Sequence, residues 1–534
     1  MSVEASTLKS DHKEDRKKVL RRAFLMASGT LTSRVLGLFR DMALAALFDR
    51  AITDAWTAAF RLPNLFRRLF GEGSLSVSFI PVFMQAQKED SSGTRARNLA
   101  NALYTLFLIF IGAIAVIGIL QMENILDLLL AADYKTDPEK WILTVRMARI
   151  MFAFVFFVCG YAYFMGILNA LGVFGLPALA PALLNVSMLL FTFMPPQWFA
   201  KNGDGLAWGV LVGGVLQMGL LWLVLQARGY LPKFTRALWN DDVKKVLVNM
   251  VPGLIGLGLL QFTTLVNLHF ASSLGLGSIS YIYWADRLLE LPLSLVSVSL
   301  GAALLPTLSE LFLSGEKTRF KETLQEHFLF SLLLAVPAAL GLFFLAEPIV
   351  DVLFRRGHFT SADTFNTAVV LKVYALSLLF VSTVKIMAPA FYAVKNTWMP
   401  AVAAFVGFVL HIAWAPWWIA RWNLMGLVLS SLGANIVQCL ILLIALRAMI
   451  TRVDGSYLFK EISKILFAAV ALIAAVQVYD PIIRVFGESQ MIKGISLAVS
   501  ILFAMVTYTA AAIVSRSEAA AFVWSHLKSK KPSK

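Results

Sequence analysis

The chain has 534 residues, 59% of them hydrophobic, with a mean hydropathy of +0.74 and a formal net charge of +15. Soluble proteins carry about 45–50% apolar residues, and several runs here approach or exceed the ~20 residues a helix needs to cross a bilayer. A soluble globular fold is excluded, and the expected class is an all-α polytopic membrane protein.

The first apolar run, TSRVLGLFRDMALAALF (32–48), follows a basic start through Arg21 and Arg22. A signal peptide would begin this way, but no A-x-A site closes the run and many spans follow, so a retained first helix is expected. About fourteen spans are predicted, centred near residues 35, 70, 110, 155, 188, 216, 260, 295, 336, 380, 409, 437, 471 and 504. An even count puts both termini on one side. With the termini cytoplasmic, segments 1–22, 88–97, 228–245, 314–321, the Lys395 turn, 447–464 and 516–534 hold 28 Lys/Arg, against nine in the opposite loops. The basic excess therefore reads as topology and contact with anionic membrane lipids, and no nucleic-acid partner is needed.

An internal repeat divides the chain. Residues 205–226 align without gaps on 426–447, an offset of 221; 168–185 match 391–408 at 223, pairing Pro177 with Pro400; 79–83 match 304–308 at 225, pairing Pro81 with Pro306. Helices 1–6 and 7–12 are two copies of one bundle, separated by an even number of spans and hence parallel. The organisation expected is a basic tail (1–21), an N-lobe (22–228), a cytoplasmic linker (229–246), a C-lobe (247–450), a C-terminal helix pair (451–515) and a second basic tail (516–534). Two-lobed secondary transporters share this plan, with a site at the repeat interface.

Ten basic residues lie in or at the edge of spans: Arg34, Arg40, Arg61, Arg67, Arg68, Arg146, Arg149, Arg287, Lys372 and Lys385. Arg146 and Arg149 lie near a helix end, where snorkelling is the expected explanation. At 100° per residue, Thr30, Ser33, Arg34, Gly37, Arg40 and Asp41 share a sector of about 120° on helix 1. Asn64, Arg67, Arg68, Gly71, Ser74 and Ser78 do so on helix 2. Ser280, Tyr283, Asp286, Arg287, Glu290, Ser294, Ser297 and Gly301 do so on helix 8. A charge at mid-bilayer costs about 2.5–3.5 kcal/mol on insertion scales, so these faces look at one another or at water. One reading is a set of ion pairs, with Asp41, Asp54, Glu72, Asp286 and Glu290 neutralising the arginines. The favoured one is a water-filled, arginine-lined cavity for an anion, because the guanidinium fork grips phosphate. For Lys385 a cavity role and a packing role weigh equally. AWAPWWIARW (413–422) reads as an interfacial belt.

Enzyme chemistry has little support. Cys159 and Cys439 sit in apolar runs and read as core residues, the six histidines form no metal-ligand spacing, and no phosphate loop, nucleophile elbow or dinucleotide fingerprint is present. No metal or cofactor is expected.

Four stretches carry a family resemblance: SRVLGLFRD (33–41), TDAWTAAFRLPNLFRRLFGEGSLSVSFIPVF (53–83), YWADRLLELP (283–292) and VKIMAPAFYA (384–393). With them the chain resembles, along nearly all its length, the MurJ (MviN) lipid II flippases of the multidrug/oligosaccharidyl-lipid/polysaccharide exporter superfamily. The resemblance implies fourteen helices, a C-terminal pair forming a groove for the lipid tail, and a bacterial inner-membrane location. It implies movement of lipid II, the undecaprenyl-diphosphate-linked precursor, to the outer leaflet for peptidoglycan synthesis, cell-wall biogenesis and cell shape. Arg34, Arg40, Arg67 and Arg287 would engage the diphosphate and sugar region. Asp41, Asp54 and Glu72 would be cavity or gate residues, and Asn64, Arg68, Asp286, Glu290 and Lys385 line the same faces. Membrane potential or an ion gradient would reset the cycle, and other cell-wall synthesis proteins are candidate partners. The rivals are a flippase for another polyprenyl-diphosphate-linked oligosaccharide and a drug or ion antiporter of the same superfamily; a cation exporter would rely on unpaired carboxylates, whereas arginines dominate here.

Overall fold

The computed structural model describes residues 28–29, 31–294, 297, 299–450 and 454–519; side chains at 71–74, 76–77, 252–253, 255–257, 259–260 and 299 are not described. The basic tail expected at 1–21 and residues 520–534 of the one expected at 516–534 lie outside these residues. Among the described residues every regular element is helical, and the chain divides into two compact units, Met1–Leu276 and Gly277–Lys534.

The first unit contains α1 (31–47), α2 (Arg50–Phe66), a π-helical turn (Arg67–Ser74), α3 (Leu75–Glu89), α4 (Thr94–Leu120), α5 (Met122–Leu129), α6 (Pro138–Phe152), α7 (Phe154–Ala170), α8 (Gly175–Thr192), α9 (Asp204–Ala227) and α10 (Asp241–Ser272). Its centre is α7, which is buried along most of its length and touches α3, α4, α9 and the π turn. The α8–α9 seam is built on a glycine stripe. Gly205, Gly209 and Gly213 recur every four residues on α9, and a Cβ there would stand 3.0 Å from Phe191 O, 3.0 Å from Met188 Cα and 2.9 Å from Leu184 Cα. With no hydrophobic drive between helices in lipid, such close backbone approach is what holds them, and Ser187 Oγ adds a 2.8 Å bond to Gly209 O.

The second unit contains α11 (Ser278–Leu293), α12 (Ser299–Leu313), α13 (Lys317–Phe344), α14 (Ala346–Phe354), α15 (Ser361–Ala393), α16 (Trp398–Met449), α17 (Gly455–Val476), α18 (Tyr479–Phe486) and α19 (Gln490–Val514). Here α15 is central, packed on α11, α12, α13, α14 and α16, and opened by a capping box between Thr360 and Asp363. α16 is two helices joined at a corner, Trp422 (φ −130°) and Asn423 (φ 46°). Gly426 is obligatory beside that corner, since a Cβ would fall 2.1 Å from Trp418 O. The pair α17–α19 packs on α13 through Leu329, Leu333, Ile465, Leu472, Leu497 and Ala504. Asp351 pins it at one end, paired with Arg355 at 2.9 Å and Lys493 at 2.7 Å. Within the pair, buried Glu461 of α17 accepts from Lys464 and, at 2.9 Å, from Glu518 N beyond the end of α19.

Nine helices among the described residues are long and apolar enough to cross a membrane. They account for ten of the expected fourteen spans, because α16 carries those near 409 and 437. The spans near 35, 70, 260 and 295 fall outside the nine: they hold the charged faces, the π segments or residues beyond the described set. α10, expected to open the C-lobe, packs instead within the first unit, against α3, α4, α5 and the π turn. Arg95 grips Asp242 through Nε and Nη2 at 2.7 and 2.8 Å, and Ser272 Oγ accepts from Ala131 N at 2.8 Å at the other end. Sequence likeness records the repeat, whereas packing follows these bonds.

Candidate functional site: the arginine faces of α1, α2 and α11

On α1 the two arginines differ. Arg34 is exposed, whereas Arg40 is 4% exposed and sits in the α1–α8 seam. Arg40 donates to Asp41 Oδ1 from Nε at 3.0 Å and from Nη2 at 2.7 Å. Its Nη1 donates to Asn185 Oδ1 at 2.8 Å and approaches Met188 Sδ at 3.6 Å. Asp41 is itself buried. Neutralisation by the neighbouring carboxylate is what makes a guanidinium tolerable there.

α2 is buried along most of its length and N-capped by Asp49, which accepts from Ile52 N at 2.9 Å. Pro63 removes a backbone donor from its last turn, and the following Arg67–Ser74 segment, containing two glycines, widens into a π turn. Such turns recur at functional sites. This one carries Arg67 and Arg68, both half-buried. Arg67 Nε donates to Asn64 Oδ1 at 2.9 Å, so two of the expected residues meet. Asp54 is buried about one turn into α2 from its start, and its charge reaches Tyr134 in the 3₁₀ turn Ala132–Thr136. Burial first, and Asp54 second, hold the Tyr134 hydroxyl above its ordinary range. The Glu72 side chain lies outside the described residues.

On α11, Arg287 donates from Nη1 to Glu290 Oε2 at 3.0 Å, and from Nε and Nη2 to Tyr283 Oη at 3.3 Å each. Spacings of three and four residues put all three on one face. Asp286, Arg287 and Glu290 are half-buried. Lys385 is half-buried on α15, and its carbonyl lies where a Cβ on Gly301 of α12 would come within 2.5 Å. One turn away Ser297 Oγ bonds Ser382 Oγ at 2.6 Å.

Two expectations change. Arg146 does not merely snorkel: Nη2 pairs at 2.9 Å with Asp204, which is 1% exposed, and Arg149 reaches Glu123 at 3.4 Å. A buried carboxylate at the start of α9 draws Arg146 inward. Sequence reasoning also missed Asn185, whose signal was present as a lone amide in the apolar run PALLNVSMLL (181–190).

Comparison with known proteins follows this geometry. The family described as "Lipid II flippase MurJ" matches residues 42–518. A probable lipid II flippase MurJ of Bdellovibrio bacteriovorus is 59% identical over 514 residues, covering 96% of this chain and 97% of its own. The lipid II flippase MurJ of Burkholderia cenocepacia is 35% identical, covering 72% of this chain and 75% of its own. Among solved structures, a lipid II flippase MurJ in an inward closed conformation superposes with a TM-score of 0.75 at 25% identity, covering 91% of this chain and 98% of that one. An inward-facing multidrug resistance MATE family transporter reaches 0.67 at 16% identity, covering 82% and 99%, which speaks for the fold alone. The arginine-faced, polytopic helical chain belongs to the lipid II flippase MurJ family.

Proposed function

We propose that the protein moves lipid II from the inner to the outer leaflet of the bacterial cytoplasmic membrane, by alternating access and without making or breaking a bond. The observation that carries this is the set of reachable arginines, Arg34, Arg67 and Arg287, on otherwise apolar helices of a lipid II flippase family chain. A diphosphate presents oxygens to which planar guanidinium groups donate in pairs. That attraction strengthens as the surroundings become less polar than bulk water. Arg287 is steered by Tyr283 and Glu290, and Arg67 by Asn64, so both forks are oriented before the ligand arrives. Arg40 contributes through its neighbours, being enclosed in the α1–α8 seam. Asp54, Arg68, Asp286 and Lys385 complete the polar faces, with Glu72 assigned to the gate by its place in the motif. Both termini are cytoplasmic on the distribution of Lys and Arg. Membrane potential or an ion gradient resets the cycle, and other cell-wall synthesis proteins receive the product.

A cation antiporter is disfavoured because Asp41 and Glu290 are engaged by arginines. A flippase for another polyprenyl-diphosphate-linked sugar shares the arginine chemistry and differs in family. A leaflet assay decides. In cells whose own flippase can be inactivated, the wild type restores outer-leaflet lipid II, and Arg34→Ala, Arg67→Ala and Arg287→Ala at equal membrane levels do not. Variants that work like the wild type would make these arginines structural. A well-inserted wild type that moves no lipid II would point to another polyprenyl lipid.

A further inference from the structure

We infer that Asn185 is the positioning residue of the α1 face: it keys α1 to α8 through the notch at Gly37 and so sets where Arg34 and Arg40 stand. This rests on the reading of the α1 arginines as part of the headgroup site.

Asn185 on α8 touches α1 at three levels. Its Oδ1 accepts from Arg40 Nη1 at 2.8 Å. Its Nδ2 donates to Ser33 O at 2.8 Å and lies 3.2 Å from Ser33 Oγ. Between these, a Cβ built on Gly37 would lie 3.6 Å from Oδ1 and 3.7 Å from Nδ2, so the amide fills the space a larger side chain would take. Ser33 and Arg40 are seven residues apart, two turns of helix, and the arginine side chain leans back towards the helix N-terminus to meet the amide. One side chain thus ties both ends of the segment that carries Arg34.

The orientation of the amide is dictated by its partners. A guanidinium only donates and a backbone carbonyl only accepts, so oxygen must face Arg40 and nitrogen must face Ser33. An isosteric carboxylate cannot satisfy both, because it would set an oxygen against the Ser33 carbonyl. The site is enclosed: Asn185 is 7% and Arg40 4% exposed. The seam is anchored from behind, since the next turn of α8 bonds α9 through Ser187 Oγ and the glycine stripe. Asn185 therefore projects from a fixed backbone.

The full chain in lipid nanodiscs provides the test, with hydrogen–deuterium exchange of α1 amides and lipid II binding and flipping as separate readouts. Asn185→Leu removes both polar bonds at nearly constant volume. Exchange at Ser33–Asp41 is expected to rise at least tenfold with α9 unchanged. The lipid II concentration at half-maximal flipping is expected to rise at least tenfold, the maximal rate per folded molecule being retained. Asn185→Asp keeps an acceptor for Arg40 and loses the bond to Ser33; its α1 exchange is expected to lie between the two. Unchanged α1 exchange in Asn185→Leu overturns the keying whatever the lipid result. If Asn185→Leu fails to insert, Asn185→Asp decides alone, and wild-type exchange at Ser33–Asp41 overturns the inference. A wild type that binds no lipid II while Asn185→Leu loosens α1 overturns the function reading and leaves the keying standing.

Discussion

Arg40 and Arg287 are the same side chain in two settings. Arg40 is sealed in a helix seam, with Asp41 beside it and Asn185 across it. Arg287 pairs along its own helix with Glu290 and Tyr283, its side chain 30% exposed. The first pair neutralises a guanidinium whose bond to Asn185 joins two helices in a medium where a lone charge is costly. The second lies along one helix face and is partly exposed. Ion pairing, taken from sequence as one explanation for all the charged faces, neutralises a buried arginine in one place and orients a partly exposed one in the other.

The largest effect is expected from breaking the sealed pair on one side. Asp41→Ala removes the adjacent carboxylate from a buried guanidinium and should cost about 3–5 kcal/mol, read as a loss of thermal stability of purified protein in detergent. Replacing both partners by apolar residues, Arg40→Met with Asp41→Leu, should recover most of that stability; no recovery would make the pair more than a neutralised charge. Next is the seam itself. Gly213→Leu drives a side chain into Leu184 and should cost about 1–3 kcal/mol, again by thermal unfolding, while Gly219→Leu, where a Cβ meets nothing within 4 Å, should be near neutral. The open pair should behave in the opposite way to the sealed one. Arg287→Ala should shift stability by no more than about 1 kcal/mol yet abolish lipid II transport, and a large stability loss would erase the distinction.

The smallest effect concerns Arg95 and Asp242. Hydrogen bonding to Arg95 holds the Asp242 carboxyl below its usual range. A depressed folded-state value means that the contribution is complete above the unfolded value, about 3.9, and is lost as pH falls through the folded one. Wild type and Asp242→Asn should therefore differ by a constant amount in Tm between about pH 5 and 8 and converge only in stronger acid. Convergence near neutrality would show that the latch is not what titrates.

The helical membrane fold was legible because its cause is in the composition: runs such as 103–120 have no other stable setting. The charged faces were legible because 100° periodicity groups Arg34 with Asp41 and Arg287 with Glu290. What periodicity does not reveal is depth. Arg34 and Arg40 fall in one sector of α1, yet one is exposed and the other enclosed, because enclosure depends on α8, 145 residues on from Arg40 at Asn185. The placement of α10 was hidden for the same reason: the repeat assigns it to the second lobe, while Arg95, Ala131 and Leu129 hold it in the first unit.

The C-terminal pair meets α13 through aliphatic side chains, and hydrocarbon tails solvate such surfaces as well as another helix does. Its address on the second unit is written in Lys493 with Asp351 of α14 and in Tyr508, whose hydroxyl donates to Leu333 O of α13 at 2.9 Å, while Glu461 with Glu518 ties α17 to the end of α19. The first two act as rivets on a joint that would otherwise slide. A chain cut after residue 450 would keep the Asp351–Arg355 pair and let acyl chains wet the vacated side of α13. The pair is thus a fitting on a frame that closes without it, and shearing either rivet would leave it attached but out of register.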